Sequence, residues 1–229
     1  MSKTSLCAWL SCVVLTSSAW AAPSLTVTRL PGHYSGSGGE FEVTPNSELE
    51  ALLGHGGSFG SFCMEKTEYI DMGVAYDVQL GTEAILGGSN HEPAGPGGGD
   101  VLDPRTAYLY SHFAAGTLTG YDYTPGDGRA SSAGALQDVI WYLEDEAGMT
   151  WIPGSLQDTF YTAAQNAVDS GSWTGLGNVR VMNLYAVGHA GDYNYLHQDL
   201  LATIPAPGAL LLTALGTPLV GLLRRRRTL

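Results

Sequence analysis

Two apolar segments, one near each end of the chain, set the limits within which this sequence can fold. The first follows Lys3 and closes on Ala19-Trp20-Ala21, the small-x-small pattern that a signal peptidase reads, so residues 1–21 are predicted to be a signal peptide. The second fills residues 208–223 and, counted from Ile204, matches the roughly 20 residues that a helix needs to cross a bilayer. Residues 22–203 lie between them and have the size of one domain with its own core.

A proline pair and an arginine cluster flank the second apolar segment. The proline pair is Pro205 and Pro207, and the cluster consists of Arg224, Arg225, Arg226 and Arg227. Because arginines beside a membrane span stay on the cytoplasmic side, the body of the protein is expected on the opposite side of the membrane.

This order of proline motif, membrane span and arginine cluster resembles the PEP-CTERM sorting signal. The usual motif of that family is Val-Pro-Glu-Pro, and in this sequence Ile204 and Ala206 replace the valine and the glutamate. The resemblance implies that residues 204–229 anchor the chain in the inner membrane of a Gram-negative cell until an exosortase-type sorting protease cuts near the prolines. The processed protein is then expected at the cell surface or in the exopolysaccharide matrix.

The middle of the chain is acidic, since the whole sequence has 22 aspartates and glutamates against 10 lysines and arginines, and Lys3 and the arginine cluster lie outside residues 22–203. An acidic domain repels phosphate backbones, so nucleic acid is not expected as a partner. The histidines lack the spacing of metal ligands, and residues 122–127 lack the alternating acids and closing glutamate of a calcium loop. Neither a metal nor a cofactor is therefore predicted.

Apolar periodicity predicts strands first, helices in the middle and a strand at the end. Alternating residues predict strands over 24–30, 39–43, 61–69, 74–80 and 180–187, with 74–80 pairing with 61–69. Cap residues and helical spacing predict helices over 45–53, over 105–115, from Ser131 or Ser132 through Leu143, and from Ser155 to about residue 168. This order predicts an α+β domain, a β-sandwich or barrel-like sheet with an inserted helical portion, flanked by the signal peptide and the C-terminal membrane helix.

Cys63 is the only cysteine that remains once Cys7 and Cys12 are removed with the signal peptide. No disulfide can then form within the mature protein. In an exported, oxidising setting a single thiol has to be buried, paired between molecules or chemically used. We interpret Cys63 as used, in a bond to a side chain further along the chain.

Two short motifs support this interpretation. They are Phe-Cys-Met-Glu at 62–65 and Leu-Gln-Asp-Val-Ile-Trp at 136–141, and they resemble the paired motifs of bacterial thioester domains. In that family an aromatic-Cys-apolar-acid segment lies on a strand and an apolar-Gln-x-small-apolar-Trp segment lies on a later helix. Val139 stands where the family usually has a small residue. The resemblance extends over approximately residues 41–187 and implies an internal thioester between Cys63 and Gln137.

The chemistry of such a bond can be stated from the residues. The Cys63 thiolate attacks the carboxamide carbon of Gln137 and ammonia leaves, which requires close, fixed placement of the two groups and a site with little water. Trp141, one helical turn after Gln137, is expected to cover the bond, with Phe62 and Tyr110 as further shielding. A lysine amine or a sugar hydroxyl that reaches the thioester is acylated by Gln137. Because the bond is consumed once, the protein is predicted to be a covalent adhesin or matrix cross-linker and not an enzyme.

Three other interpretations stay open. Cys63 and Trp141 can be core residues and Gln137 a surface residue of its helix. Cys63 can also be a catalytic nucleophile activated by His55 or His112. The main alternative is a non-covalent matrix or carbohydrate-binding surface protein without a thioester. Its stacking surfaces would be the following aromatic residues: Tyr108, Tyr110, Tyr121, Tyr123 and Trp151.

Overall fold

The computed structural model describes residues 21–36, 38–85, 99–150 and 152–205. The predicted signal peptide, apart from Ala21, the predicted membrane span, Pro207 and the arginine cluster Arg224, Arg225, Arg226 and Arg227 lie outside these ranges. Within the described part of the chain, no helix combines the length and the apolar character that a bilayer crossing requires.

Six strands form one antiparallel sheet. In chain order the sheet strands are β1 (Ser24–Thr28), β2 (Phe41–Pro45), β3 (Phe59–Ser61), β4 (Ala75–Gly81), β7 (Val179–Ala186) and β8 (Leu196–Thr203). The spatial order is β3-β2-β1-β4-β7-β8, and each neighbouring pair is antiparallel. The short strands β5 (Glu83–Ala84) and β6 (Asp100–Val101) pair with each other in a separate two-stranded sheet.

Alternation in the sequence explains most of these strands. In β1, Leu25 and Val27 are buried and their neighbours are half-buried, as period-two patterning requires. The strands predicted over 24–30, 39–43, 74–80 and 180–187 are confirmed to within a few residues. The pairing predicted for 74–80 is wrong, because β4 lies between β1 and β7.

The strand predicted over 61–69 is also wrong beyond its first residue, because β3 ends at Ser61. The chain continues in an extended segment that bonds to β8: Leu201 N donates to the Phe62 carbonyl at 3.3 Å, and Met64 N donates to the Asp199 carbonyl at 3.0 Å. Cys63 forms a bridge with Leu200. Residues 62–64, which we call the seam segment, thus join the two edge strands of the sheet.

Among the described residues there are four α-helices: α1 (Ser47–Leu53), α2 (Pro104–Ala114), α3 (Asp127–Leu143) and α4 (Leu156–Asp169). The side chains of Asn46, Asp103 and Ser155 cap α1, α2 and α4 as predicted. The predicted start of α3 is wrong. Ser132 lies inside the helix and donates to the Gly128 carbonyl at 2.9 Å, the back-bonding that serine can make within a helix.

The structure confirms an α+β domain in which α2, α3 and α4 are inserted between β6 and β7. Two hydrophobic cores result. One packs the three inserted helices against one face of the sheet and contains Phe62 and Met64. The other lies among β1, β2, β4, β7, β8 and α1 and contains Cys63. The seam segment therefore runs between the two cores, with successive side chains pointing to opposite sides.

Candidate functional site

The structure brings Cys63 and Gln137 into contact across 74 positions of sequence. Both residues are buried, with exposed fractions of 4% and 1%. The Gln137 carboxamide lies along the peptide of Cys63: its Nε2 donates to the Cys63 carbonyl at 2.9 Å, and its Oε1 accepts from Cys63 N at 3.1 Å. The two motifs singled out in the sequence thus meet at one point, where α3 crosses the seam segment.

A second backbone amide points at the same carboxamide oxygen. Gly39 N donates to Gln137 Oε1 at 2.9 Å, so this oxygen accepts from two N–H groups, those of Gly39 and Cys63. This is the arrangement of an oxyanion hole, in which fixed donors stabilise the negative charge that develops on oxygen when a nucleophile attacks the adjoining carbon. Two such donors are what addition of a nucleophile to the Gln137 carboxamide would require.

Gly38 and Gly39 allow this close approach. A Cβ at Gly38 would lie 2.5 Å from Gln137 Cγ and 3.0 Å from the Trp141 ring, and one at Gly39 would lie 2.7 Å from the Phe62 ring. Sequence reasoning did not assign these glycines to the site. The signal available in the sequence was a glycine pair, Gly38 and Gly39, at the start of the strand predicted over 39–43, since glycine in a strand often marks a close approach of backbone to another group.

The environment of the Cys63 thiol holds it in the protonated form. Burial raises the pKa of the thiol far above its ordinary value. The positive charge of Arg29 lowers it in part, and the nearby carboxyl groups of Glu68 and Glu65 raise it further. A thiolate at Cys63 is thus unfavourable unless its proton leaves at the moment of reaction.

A cavity of about 260 Å³ reaches Cys63 from the surface. Trp141 borders it, half-buried, and the Trp141 indole N–H has no hydrogen-bond partner among the described residues. Lys66 also lines this cavity, and its Nζ lies 5.5 Å from the centre of the Trp141 ring. The cavity is large enough to admit a small nucleophile as far as Cys63, and Gln137 lies buried behind Cys63 and is not part of the cavity lining.

The three predicted shielding residues are placed differently. Trp141 lines the cavity, as just described. Phe62 is buried beside Gly39 and packs edge-on against Phe113 with ring centres 4.9 Å apart. Tyr110 is buried too, but its hydroxyl donates to the Gly60 carbonyl at 2.9 Å and its ring borders a different cavity. Two of the three residues therefore adjoin the Cys63–Gln137 pair.

Two carboxyl groups that sequence reasoning did not single out lie beside the site, on buried Glu65 and half-buried Glu68. Burial, followed by the neighbouring Glu146, raises the pKa of Glu65 to about 10. Burial, followed by Asp199 and Glu146, raises the pKa of Glu68 to about 9. Both groups are thus held neutral near pH 7. Despite this grouping, the described residues contain no set of three or more His, Cys, Asp or Glu placed to hold a metal ion.

The histidines proposed for a catalytic cysteine lie elsewhere. His55 packs edge-on against Phe59, with ring centres 5.3 Å apart, and borders the same cavity as Tyr110. His112 Nδ1 lies 3.0 Å from the Thr117 hydroxyl. Neither histidine lines the cavity that reaches Cys63.

The tyrosines considered as stacking surfaces are mostly packed against the body. Tyr121 is buried and donates its hydroxyl proton to Glu40 at 2.8 Å, and Tyr108 packs edge-on against Trp173. Tyr110 and Tyr123 border a cavity of about 370 Å³. Trp151 lies outside the described residues.

The start of the predicted sorting motif is packed on the body. Ile204 N donates to the Asn178 carbonyl at 2.8 Å, and Pro205 fills the space where a side chain at Gly54 would otherwise lie. The chain thus leaves the domain directly after β8, beside the end of α1.

Comparisons of the chain with protein-family models, with curated proteins and with solved structures gave no match.

Proposed function

We propose that the chain is an exported cell-surface or exopolysaccharide-matrix protein that attaches itself covalently to an amine or hydroxyl target through an internal Cys63–Gln137 thioester. The observation that carries this proposal is the position of the Gln137 carboxamide. It is buried against Cys63, with its oxygen held by the N–H groups of Gly39 and Cys63.

Formation of the bond follows from that placement. The sulfur of Cys63 attacks the carboxamide carbon of Gln137, the two N–H donors stabilise the charge on Oε1, and the C–N bond breaks. The thiol proton passes to the departing nitrogen, which leaves as ammonia. Each oxyanion-hole donor is worth roughly 100- to 1000-fold in rate, and the contact of the carboxamide with the Cys63 backbone lowers the entropic cost of bringing thiol and amide together.

When the thioester opens, Cys63 is the leaving group and the acyl group of Gln137 is attacked. A nucleophile that enters the cavity adds to the acyl carbon of Gln137, the C–S bond breaks and Cys63 is released as a thiol. The target is then joined to α3 through the side chain of Gln137. Since no step restores the thioester, each molecule reacts once, and the protein acts as a cross-linker and not as an enzyme.

The fold supports the same proposal. The bonds between the seam segment and β8 give the sheet a barrel-like closure, and the glutamine comes from the inserted helical portion, as the resemblance to thioester domains implies. We propose further that residues 1–21 direct export and that residues 204–229 serve as a PEP-CTERM-like membrane anchor. An exosortase-type protease would remove this anchor near Pro205 and Pro207. The acidic composition of the chain suits a solvated protein outside the cell.

Intact mass of the purified chain tests the thioester, with Cys63→Ala as the matched control. The expected result is a mass lower than that of the sequence by one ammonia in the wild type and not in the variant. Treatment with methylamine should then raise the mass and expose Cys63 to alkylation. A full sequence mass, with Gln137 unchanged as glutamine and Cys63 alkylated after unfolding, would contradict the proposal.

One internal reaction has to be separated from the thioester in this experiment. The Lys66 amine borders the cavity, and its attack on Gln137 would also leave the chain lighter by one ammonia, but with Cys63 as a free thiol. Alkylation of the unfolded chain without added amine distinguishes the two bonds, and Lys66→Met removes the competing amine. We expect Lys66→Met to keep the mass deficit.

A non-covalent carbohydrate-binding protein is the second candidate function. It is favoured by the cavity of about 370 Å³, which combines the rings of Tyr110, Tyr123 and Phe113 with the charged pair Glu40 and Arg129. Retention of Cys63→Ala on an exopolysaccharide column, as strong as that of the wild type, would support this candidate.

A further inference from the structure

The cavity that reaches Cys63 contains an ionisable group for which the chemistry above has no role. Glu68 lines this cavity, and both of its carboxyl oxygens are buried without a hydrogen-bond partner among the described residues. Of its acidic neighbours, Asp199 accepts from Ile85 N at 2.9 Å and Glu146 accepts from Lys66 N at 3.0 Å. The carboxyl oxygens of Glu65 also lack a hydrogen-bond partner among the described residues, but Glu65 does not line the cavity. Because a buried polar group without a partner is costly, an unpartnered carboxyl that faces the cavity, as that of Glu68 does, points to a role in binding or chemistry.

Glu68 carries a transferable proton at neutral pH. Its pKa is raised to about 9 by burial, then by Asp199 and then by Glu146. The other charged or titratable groups around it are Glu65 on the same segment and, on the cavity walls, Arg29, Lys66 and Tyr69. The acid thus stands in its protonated form in the same space as the sulfur of Cys63.

Release of Cys63 needs such a proton. When the thioester opens, the electron pair of the C–S bond goes to sulfur, and a bare thiolate is unfavourable in this buried site. At the same time the attacking amine or hydroxyl has to lose a proton. A single group that donates to sulfur and accepts from the nucleophile meets both needs, as general acid–base catalysts do.

We propose that Glu68 is the proton-transfer residue of thioester opening and that it donates its proton to Cys63 Sγ while it receives the proton that the nucleophile loses. The bond from the nucleophile to the acyl carbon of Gln137 forms, the C–S bond breaks, and Glu68 ends the step protonated as it began. This role rests on the proposed thioester.

The test compares the purified full-length wild type with Glu68→Gln and with Glu144→Gln as the matched control. Glu144 is buried, has a pKa raised to about 8 chiefly by burial, and does not line the cavity. Intact mass first shows whether each protein has lost one ammonia. The rate at which hydroxylamine, which is uncharged over the range, opens the thioester is then measured from about pH 7 to about pH 10, on either side of the Glu68 pKa.

The expected result is that all three proteins show the mass deficit and that Glu68→Gln opens about 100-fold more slowly, the lower end of what general acid–base catalysis contributes. Relative to Glu68→Gln, the wild-type advantage should shrink as the pH rises through about 9, because Glu68 then loses its proton. Glu144→Gln should keep the wild-type rate and profile.

Equal rates and profiles for the wild type and Glu68→Gln, with the deficit present in both, would overturn the role of Glu68 and leave the thioester standing. Absence of the deficit from the wild type would instead overturn the proposed function itself. If Glu68→Gln does not form the thioester, Glu68→Asp is tested in its place, because aspartate keeps a carboxyl group in the cavity. A Glu68→Asp protein that carries the deficit but opens 100-fold more slowly, with no change around pH 9, would also overturn the proposal.

Discussion

At the scale of single residues, the site depends on the absence of a side chain at Gly38 and at Gly39. Two side chains, those of Gln137 and Trp141, occupy the space where a Cβ at Gly38 would lie. Gly39 in turn supplies one of the two N–H groups on the Gln137 oxygen. The pairing of Cys63 with Gln137 was predictable from two motifs, whereas the contribution of Gly39 was not, because it depends on the path of the backbone and not on a side chain.

Substitution of Gly38 by alanine is therefore expected to prevent thioester formation without unfolding the body. The new methyl group would meet Gln137 Cγ at 2.5 Å and push the carboxamide away from Cys63. A displacement of about 1 Å costs roughly 100-fold in the rate of a positioned reaction. Intact mass should show the full sequence mass for Gly38→Ala, with far-ultraviolet circular dichroism unchanged. Gly148→Ala is the control, since a Cβ at Gly148 would meet nothing within 4 Å, and it should keep the deficit.

At the scale of elements, β8 was not predicted from the sequence, although it bonds to the seam segment that contains Cys63. A half-exposed strand alternates apolar and polar residues, whereas β8 has adjacent buried polar residues at Gln198 and Asp199. Gln198 Nε2 donates to the Glu65 carbonyl at 2.8 Å, and Asp199 accepts from Asn183 at 3.2 Å. These polar residues interrupt the alternation by which a strand is recognised, so no strand was predicted here. Alternation over residues 61–69 in turn predicted a longer strand than β3, which ends at Ser61.

Truncation of the chain after Asp199 is predicted to destroy the domain. It removes Leu200 and Leu201, and with them the bridge to Cys63 and the hydrogen bond to the Phe62 carbonyl. The product should show no cooperative unfolding transition and no loss of ammonia. A chain that ends after Ile204 retains all of β8 and should behave as the full body does. Cooperative unfolding of the shorter chain, followed by circular dichroism, would contradict the importance given to β8.

At the scale of the whole molecule, the domain carries several neutral carboxyl groups in its interior. Glu65, Glu68 and Glu144 have pKa values raised to about 10, about 9 and about 8, each chiefly by burial. Their order along the chain gave no sign of this, because burial of a carboxyl depends on how the sheet, the seam segment and α3 assemble. The α+β class and most of the helices were predictable from local patterns, and the two-core arrangement was not.

These carboxyl groups make the stability of the body fall as the pH rises. The unfolded chain loses their protons near the ordinary value of 4.5, whereas the folded chain holds them until the pH reaches 8 to 10. Their contribution is thus fully present below about pH 4.5 and is lost as the pH rises through the folded values. Urea denaturation of Cys63→Ala should give a larger free energy of unfolding at about pH 5 than at about pH 9. Adding Glu65→Gln should reduce this difference, and an unchanged difference would contradict the assignment of Glu65.

The contact between Gln137 and the seam segment also affects how the domain would transmit a pulling force between a captured target and the C-terminal end of β8. A target captured at Gln137 would pull on the middle of α3, and an anchor beyond Ile204 would pull on the end of β8. The tension would then run from α3 through the seam segment and the packed helices to β8, which pairs with β7 along most of both strands. Because β8 is held by β7 on one edge and by the seam segment on the other, the domain would resist detachment by shear along these pairings.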